Sequence, residues 1–226
     1  MNITEFKKIF YEIKNKGYIK TMRNGPTGVG YTLEYLLGIN ENNKAKPDIE
    51  GAELKAHRIN SNSMITLFTF NRKSWILNPL EAIKKYGSVD SNRRLGLYYT
   101  ISLKPNSAGL FLYIKDKEIS VRHIDGEIIA TWNLDNLVNR FLEKIPSLIF
   151  VSAFSEERDG MEYFNYARAQ LMKGTSSDIL FNQFKEENIF IDLRLHDNGT
   201  RARNHGTGFR TFESKLPYLF KDIKEL

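Results

Sequence analysis

The 226 residues are 41% hydrophobic and 27% charged, the balance of a globular protein rather than a disordered or fibrous one. A net charge of +6 and a pI near 9.3 favour a polyanionic partner without naming it. There is no cysteine, which excludes disulfide staples, thiolate metal sites and a cysteine nucleophile, and no apolar run approaches the roughly 18–20 residues that span a bilayer.

Residues 1–13 are amphipathic and lack the apolar centre and small-residue cleavage site of a signal peptide, so a cytoplasmic protein is expected. Ile3, Phe6, Ile9, Phe10 and Ile13 recur at helical spacing and predict a helix over residues 3–15, ended by Asn15 to Gly17. A glycine-rich turn, Asn24-Gly25-Pro26-Thr27-Gly28-Val29-Gly30, precedes a second helix over 31–37, and residues 40–47 read as polar loop. Strands are predicted at 52–56, 64–70 and 96–102, with Asn78-Pro79-Leu80 opening a short helix to Tyr86. A meander follows at 110–115, 118–123 and 127–132, then a helix at 134–144 and a buried-type strand at 147–153. The last third predicts a strand at 163–166, a helix at 177–186 and a strand at 189–195. A polar, basic loop at 196–204, a strand at 205–212 and a short helix at 215–220 complete the chain. Mixed helices and hairpins indicate an α+β or mixed α/β fold. No Pro/Gly/Ser linker divides it, so two lobes would be packed together rather than tethered. Trp75 and Trp132 are expected to pack rather than stack on bases.

The most informative stretch is Pro47-Asp48-Ile49-Glu50-Gly51-Ala52-Glu53-Leu54-Lys55. On a strand, Glu53 and Lys55 point to one face while Leu54 points into the core. Asp48 lies on a preceding turn that can return its carboxylate beside Glu53. Two carboxylates make a hard oxygen site suited to Mg²⁺, which polarises a phosphodiester and acidifies a bound water. The Lys55 ammonium can offset charge growing on phosphorus. The plain alternative is an acidic loop before a solvated strand. Glu34, on the upstream helix, is either a third carboxylate serving the metal or lysine, or an ordinary exposed glutamate. The glycine-rich turn lacks the Lys-Ser/Thr of a nucleotide-triphosphate loop; its amides, with Lys20 and Arg23, can instead meet a DNA phosphate.

Gly25-Pro26-Thr27-Gly28-Val29-Gly30 with Leu33-Glu34, then Pro47-Asp48 and Glu53-Leu54-Lys55, resembles the MutH-like branch of PD-(D/E)xK nucleases, and within it the MvaI/BcnI family of restriction endonucleases. Leu67-Phe68-Thr69, Ile191-Asp192-Leu193-Arg194 and His205-Gly206-Thr207-Gly208-Phe209-Arg210 are similar to that family too. The resemblance covers roughly residues 18–70 and 189–212; residues 71–188 are unmatched. It implies a monomeric, Mg²⁺-dependent enzyme with a restriction-endonuclease-like core. A catalytic lobe, drawn here as about residues 1–150, would approach the minor groove of duplex DNA. A recognition lobe, about 151–226, would approach the major groove. It also implies cutting at short CC–N–GG sites one strand at a time, beside a cognate DNA methyltransferase.

The C-terminal block has its own chemical logic. Asp192 and Arg194 share a strand face; arginine suits guanine O6 and N7, and a carboxylate accepts from cytosine N4. Arg210 can serve a second guanine, and the resemblance places His205 as a base-contacting histidine. Arg201 and Arg203 fit phosphate contacts or a solvated loop equally, and His57 either reaches the minor groove or caps its strand. Two other readings stand beside the restriction enzyme. One is a MutH-like repair nickase that needs a partner protein, and the other is a DNA-binding module without catalysis.

Overall fold

A capping box opens the first helix: the Asn2 side chain accepts from the Glu5 N–H at 2.9 Å, and the Glu5 carboxylate accepts from the Asn2 N–H at 2.9 Å. The computed structural model describes residues 1–39, 47–59, 61–71 and 73–226; of the expected loop at 40–47, all but Pro47 lies outside the described residues. The chain runs α1 (Ile3–Asn15), β1 (Ile19–Lys20), α2 (Gly28–Leu36), β2 (Glu53–Arg58), β3 (Ile65–Thr69), α3 (Pro79–Tyr86), β4 (Ser88–Val89) and β5 (Leu95–Ile101). It continues through β6 (Leu110–Lys115), β7 (Glu118–His123), β8 (Ile128–Asn133), α4 (Leu134–Lys144), β9 (Ser147–Arg158) and β10 (Met161–Lys173). Then come α5 (Ser177–Lys185), β11 (Phe190–Asp197), β12 (Ala202–Asn204), β13 (Gly208–Thr211), a 3₁₀ turn (Glu213–Leu219) and β14 (Asp222–Glu225). This is the mixed α+β class read from the sequence.

The elements gather into two compact units, each assembled from separate stretches of chain, whereas the sequence-based lobes are continuous stretches. One holds Met1–Ser63, Leu142–Thr175 and Phe220–Leu226; the other holds Met64–Phe141 and Ser176–Leu219. The reason lies in strand pairing. β2 pairs with β9 in parallel, Lys55 opposite Phe150, and a parallel pair requires a crossover. Most of the second unit is inserted in that crossover, and the remainder enters between β10 and β14.

In the first unit the strand order is β1-β10-β9-β2, with β14 also on β10. Phe6, Phe10 and Ile13 of α1 and Val29 and Leu33 of α2 pack with Leu54, Ile149, Val151 and Phe164 of the sheet. Each such large apolar side chain contributes about 1.5–3 kcal/mol when fully buried. Gly28 explains part of the glycine-rich turn: a Cβ there would sit 2.4 Å from the Arg23 carbonyl oxygen. The glycine is thus required there by the close approach of the chain to itself. Arg58 clasps it from β2, donating from its guanidinium to the carbonyls of Gly25 and Pro26 at 3.0 Å each and pairing with Glu162 of β10 at 2.5 and 2.7 Å.

In the second unit one sheet runs β3-β13-β11-β5-β4, with β12 on β11, and β6-β7-β8 form a separate meander. Phe209 stacks on Phe68 at 4.6 Å and meets the edges of Trp132 and Phe184. Trp132 is 2% exposed and donates to the Phe70 carbonyl, so it packs as expected.

The meander, α3 and α4 fall within a residue of their expected places. The largest extension is β9–β10, expected as two short strands and observed as a hairpin of 12 and 13 residues. Its charged turn end, from Glu156 to Glu162, conceals the strand signal. Asp159 and Gly160, at φ of 50° and 70°, supply the tight turn that joins the two. Part of the expected loop at 196–204 is β12, which places Arg203 opposite His196.

Candidate active site and nucleic-acid interface

Glu53 opens β2 and is only 3% exposed, yet both of its carboxylate oxygens face cations. Lys55 Nζ lies 3.3 Å from Oε1, as expected for two residues sharing a strand face. Lys144 Nζ lies 2.9 Å from Oε2. Asp48 accepts a hydrogen bond from the Leu54 N–H at 3.2 Å, so the preceding turn does bring its carboxylate against β2. Burial pushes the Glu53 carboxyl above its ordinary range; Lys55 opposes this, the neighbouring Asp48 charge reinforces it, and Lys144 opposes it again.

Lys144 is the residue that sequence reading missed. It ends α4, where a lysine is ordinary because the helix dipole favours cations there. Only the parallel pairing of β9 beside β2, three residues further on, carries it to Glu53. Glu34 is half-buried on α2, a helix that packs on β2. Lys20 is exposed on β1, and Arg23 lies over the Tyr31 ring at 3.6 Å. His57 is 8% exposed, with its Nε2 3.0 Å from the Ser63 hydroxyl.

The donor set fits a small, hard divalent cation. Mg²⁺ is commonly held by one or two carboxylates, with water and substrate phosphate completing its shell. Asp48 and Glu53 supply that number. No group of three or more His, Cys, Asp or Glu is placed to hold a metal among the described residues.

The second unit holds the other cluster on its central strand, β11. Asp192 is 0% exposed. Its Oδ2 accepts from Arg194 Nε at 2.7 Å, and Arg210 Nε lies 3.1 Å from the same oxygen. Its Oδ1 accepts from the Thr100 hydroxyl at 3.1 Å. The arginine side chains are 41% and 28% exposed, so their outer ends reach solvent. His205 is exposed; its N–H donates to the Arg194 carbonyl at 2.8 Å, and its Nε2 lies 3.2 Å from Nδ1 of His196. His196 is 4% exposed, and burial holds its pKa below the usual histidine value, with help from Arg94, His205 and Arg203. Sequence reading assigned His196 no role, because its contact with His205 depends on the return of β12. Arg201 and Arg203 are both exposed.

Comparison with known proteins places this architecture. A family model described as the MvaI/BcnI restriction endonuclease family matches residues 7–220, nearly the whole chain, which makes the protein a site-specific deoxyribonuclease of the restriction class. The chain belongs to the MvaI/BcnI restriction endonuclease family. Among solved structures it is similar to restriction endonuclease MvaI in complex with its cognate DNA substrate, at 24% identity and a TM-score of 0.83, covering 100% of this chain and 99% of that one. It is also similar to MvaI in the absence of DNA, at 24% identity and a TM-score of 0.57, covering 99% and 96%. No curated protein matches the sequence. No described helix is long and apolar enough to cross a membrane.

Proposed function

We propose that this chain is a Mg²⁺-dependent type II restriction endonuclease. It cuts duplex DNA at a short CC–N–GG site, as a monomer nicking one strand at a time. The observation that carries the chemistry is the convergence of Lys55 and Lys144 on the two oxygens of Glu53, with Asp48 beside them. This supports a PD-(D/E)xK site of Asp48, Glu53 and Lys55 in the first unit. The similarity to MvaI, solved with its cognate DNA, supports duplex DNA as the substrate.

A divalent cation held by Asp48 and Glu53 would supply Lewis acidity and an acidified water. The chain's own groups do the rest. Lys55 presents an ammonium beside the carboxylates, where it can stabilise charge developing on the phosphodiester. Lys144 holds the far oxygen of Glu53 and favours its ionised, metal-binding form against the burial that opposes it. Glu34 is read as a supporting carboxylate on α2. In the second unit, Arg194 and Arg210 present guanidinium groups suited to guanine O6 and N7, with Asp192 between them and His205 adjacent. Lys20, Arg23, His57, Arg201 and Arg203 are read as backbone or minor-groove contacts. A cytoplasmic enzyme of this kind works beside a methyltransferase that protects the same site.

The test is digestion of unmethylated plasmid DNA with Mg²⁺, followed by sequencing of the ends. Discrete cuts at CC–N–GG sites are expected. No cleavage, or cuts without sequence preference, would overturn the reading.

A further inference from the structure

The recognition reading treats Asp192 as one of several groups that touch bases. Its surroundings argue otherwise. A side chain with 0% exposure presents no surface to a base edge. An ionised carboxylate offers about four acceptor positions. Two are committed to hydrogen bonds, Thr100 on Oδ1 and Arg194 on Oδ2, and Arg210 Nε lies in ion-pair contact with Oδ2 at 3.1 Å.

The backbone is shaped to bring both arginines onto this one group. Arg194 follows Asp192 by two residues and shares its face of β11. Arg210 comes from β13, where Gly208 is the direct partner of Asp192 and Arg210 its diagonal neighbour. A Cβ on Gly208 would meet Arg210 Nε at 3.3 Å and Asp192 Cβ at 3.9 Å, so the glycine leaves the passage through which Arg210 reaches the carboxylate. A register shift between Phe209 and Arg210 on the β3 side turns the strand at this point.

We infer that Asp192 is a positioning residue that touches no base and aims Arg194 and Arg210 together, so that recognition of two neighbouring G·C pairs is coupled through one buried carboxylate. The inference rests on the reading of Arg194 and Arg210 as guanine readers. Each Nε lies against Asp192, which leaves the four N–H donors on the terminal nitrogens of each partly exposed guanidinium for other partners. Both Nε atoms lie against a single oxygen. Their separation therefore cannot exceed the sum of the two contacts, close enough to serve base pairs stacked roughly 3.4 Å apart.

The experiment measures metal-free binding to a panel of duplexes in which each G·C pair of the site, as identified from the sequenced ends, is replaced in turn. Arg194→Ala and Arg210→Ala are each expected to lose discrimination at one pair, by roughly tenfold or more. Asp192→Asn is expected to lose it at both pairs at once, and to add no further loss in an Arg194→Ala/Arg210→Ala background. Should Asp192→Asn fail to fold, Thr100→Val carries the test, because it alters only the donor to Oδ1 from an exposed position; a partial loss at both pairs is expected. A loss confined to one pair in either variant would overturn the inference, as would a further loss in the double-arginine background. No change in discrimination from Arg194→Ala or Arg210→Ala would overturn the underlying reading instead.

Discussion

Lys144 Nζ lies 2.9 Å from Glu53 Oε2, while Lys55 Nζ meets the other oxygen, Oε1, at 3.3 Å. Two cations on one buried carboxylate offset a desolvation cost that either alone would meet less well. Lys144→Met should therefore leave Glu53 harder to ionise. Cleavage is expected to fall by about 100-fold, the scale of losing one active-site electrostatic partner, with specific binding retained. Cleavage unchanged across a pH series would show that Lys144 serves only packing.

Glu53→Ala and Lys55→Ala are expected to abolish cleavage while specific binding to the same duplex persists. The reason is that both side chains lie in the first unit, whereas the base-reading candidates are in the second. Gel-shift titration beside a digestion assay separates the two effects. Undiminished cutting by either variant would remove it from the catalytic set.

Arg58 joins three segments of the first unit at once, through Glu162 and the carbonyls of Gly25 and Pro26. Arg58→Ala should cost about 1.5–3 kcal/mol, the range for hydrogen bonds to a charged group. Arg58→Lys should rescue little, since an ammonium cannot reproduce the planar fork. Urea unfolding at constant slope measures both; a wild-type midpoint for Arg58→Ala would show the clasp to be dispensable.

His196 supplies a pH dependence. Its folded pKa is lowered by burial and by Arg94, His205 and Arg203, with Asp90 opposing. The unfolded chain therefore binds its proton more readily than the folded one. The stability it contributes is fully present above the ordinary histidine pKa of about 6.5 and is lost as pH falls through its lowered folded value. Wild type should lose more thermal stability between neutral and mildly acidic pH than His196→Gln does. Parallel curves for the two proteins would exclude this role.

Much of the fold was legible because its signals are local. The capped amphipathic periodicity of α1, the meander at residues 110–132 and the helix at 134–144 each depend on neighbouring residues. The long β9–β10 hairpin was not, since the ends of the two strands that meet at the turn are rich in charge and only pairing with each other holds them extended.

The same division runs through the candidate sites. Asp48, Glu53 and Lys55 are readable from one turn and one strand, because alternation on a strand fixes which side chains share a face. Asp192 and Arg194 are readable for the same reason. What only the tertiary structure decided is the set of partners. Lys144 reaches Glu53 because β9 lies parallel to β2 across an inserted unit. Arg210 reaches Asp192 because β13 lies against β11 with a glycine at the crossing point. Burial then assigns the tasks: a carboxylate enclosed by its own cations can orient them, while the exposed ends of those cations are left to meet a ligand. Such partners come from strand pairings between distant segments, and no local pattern in the sequence encodes them.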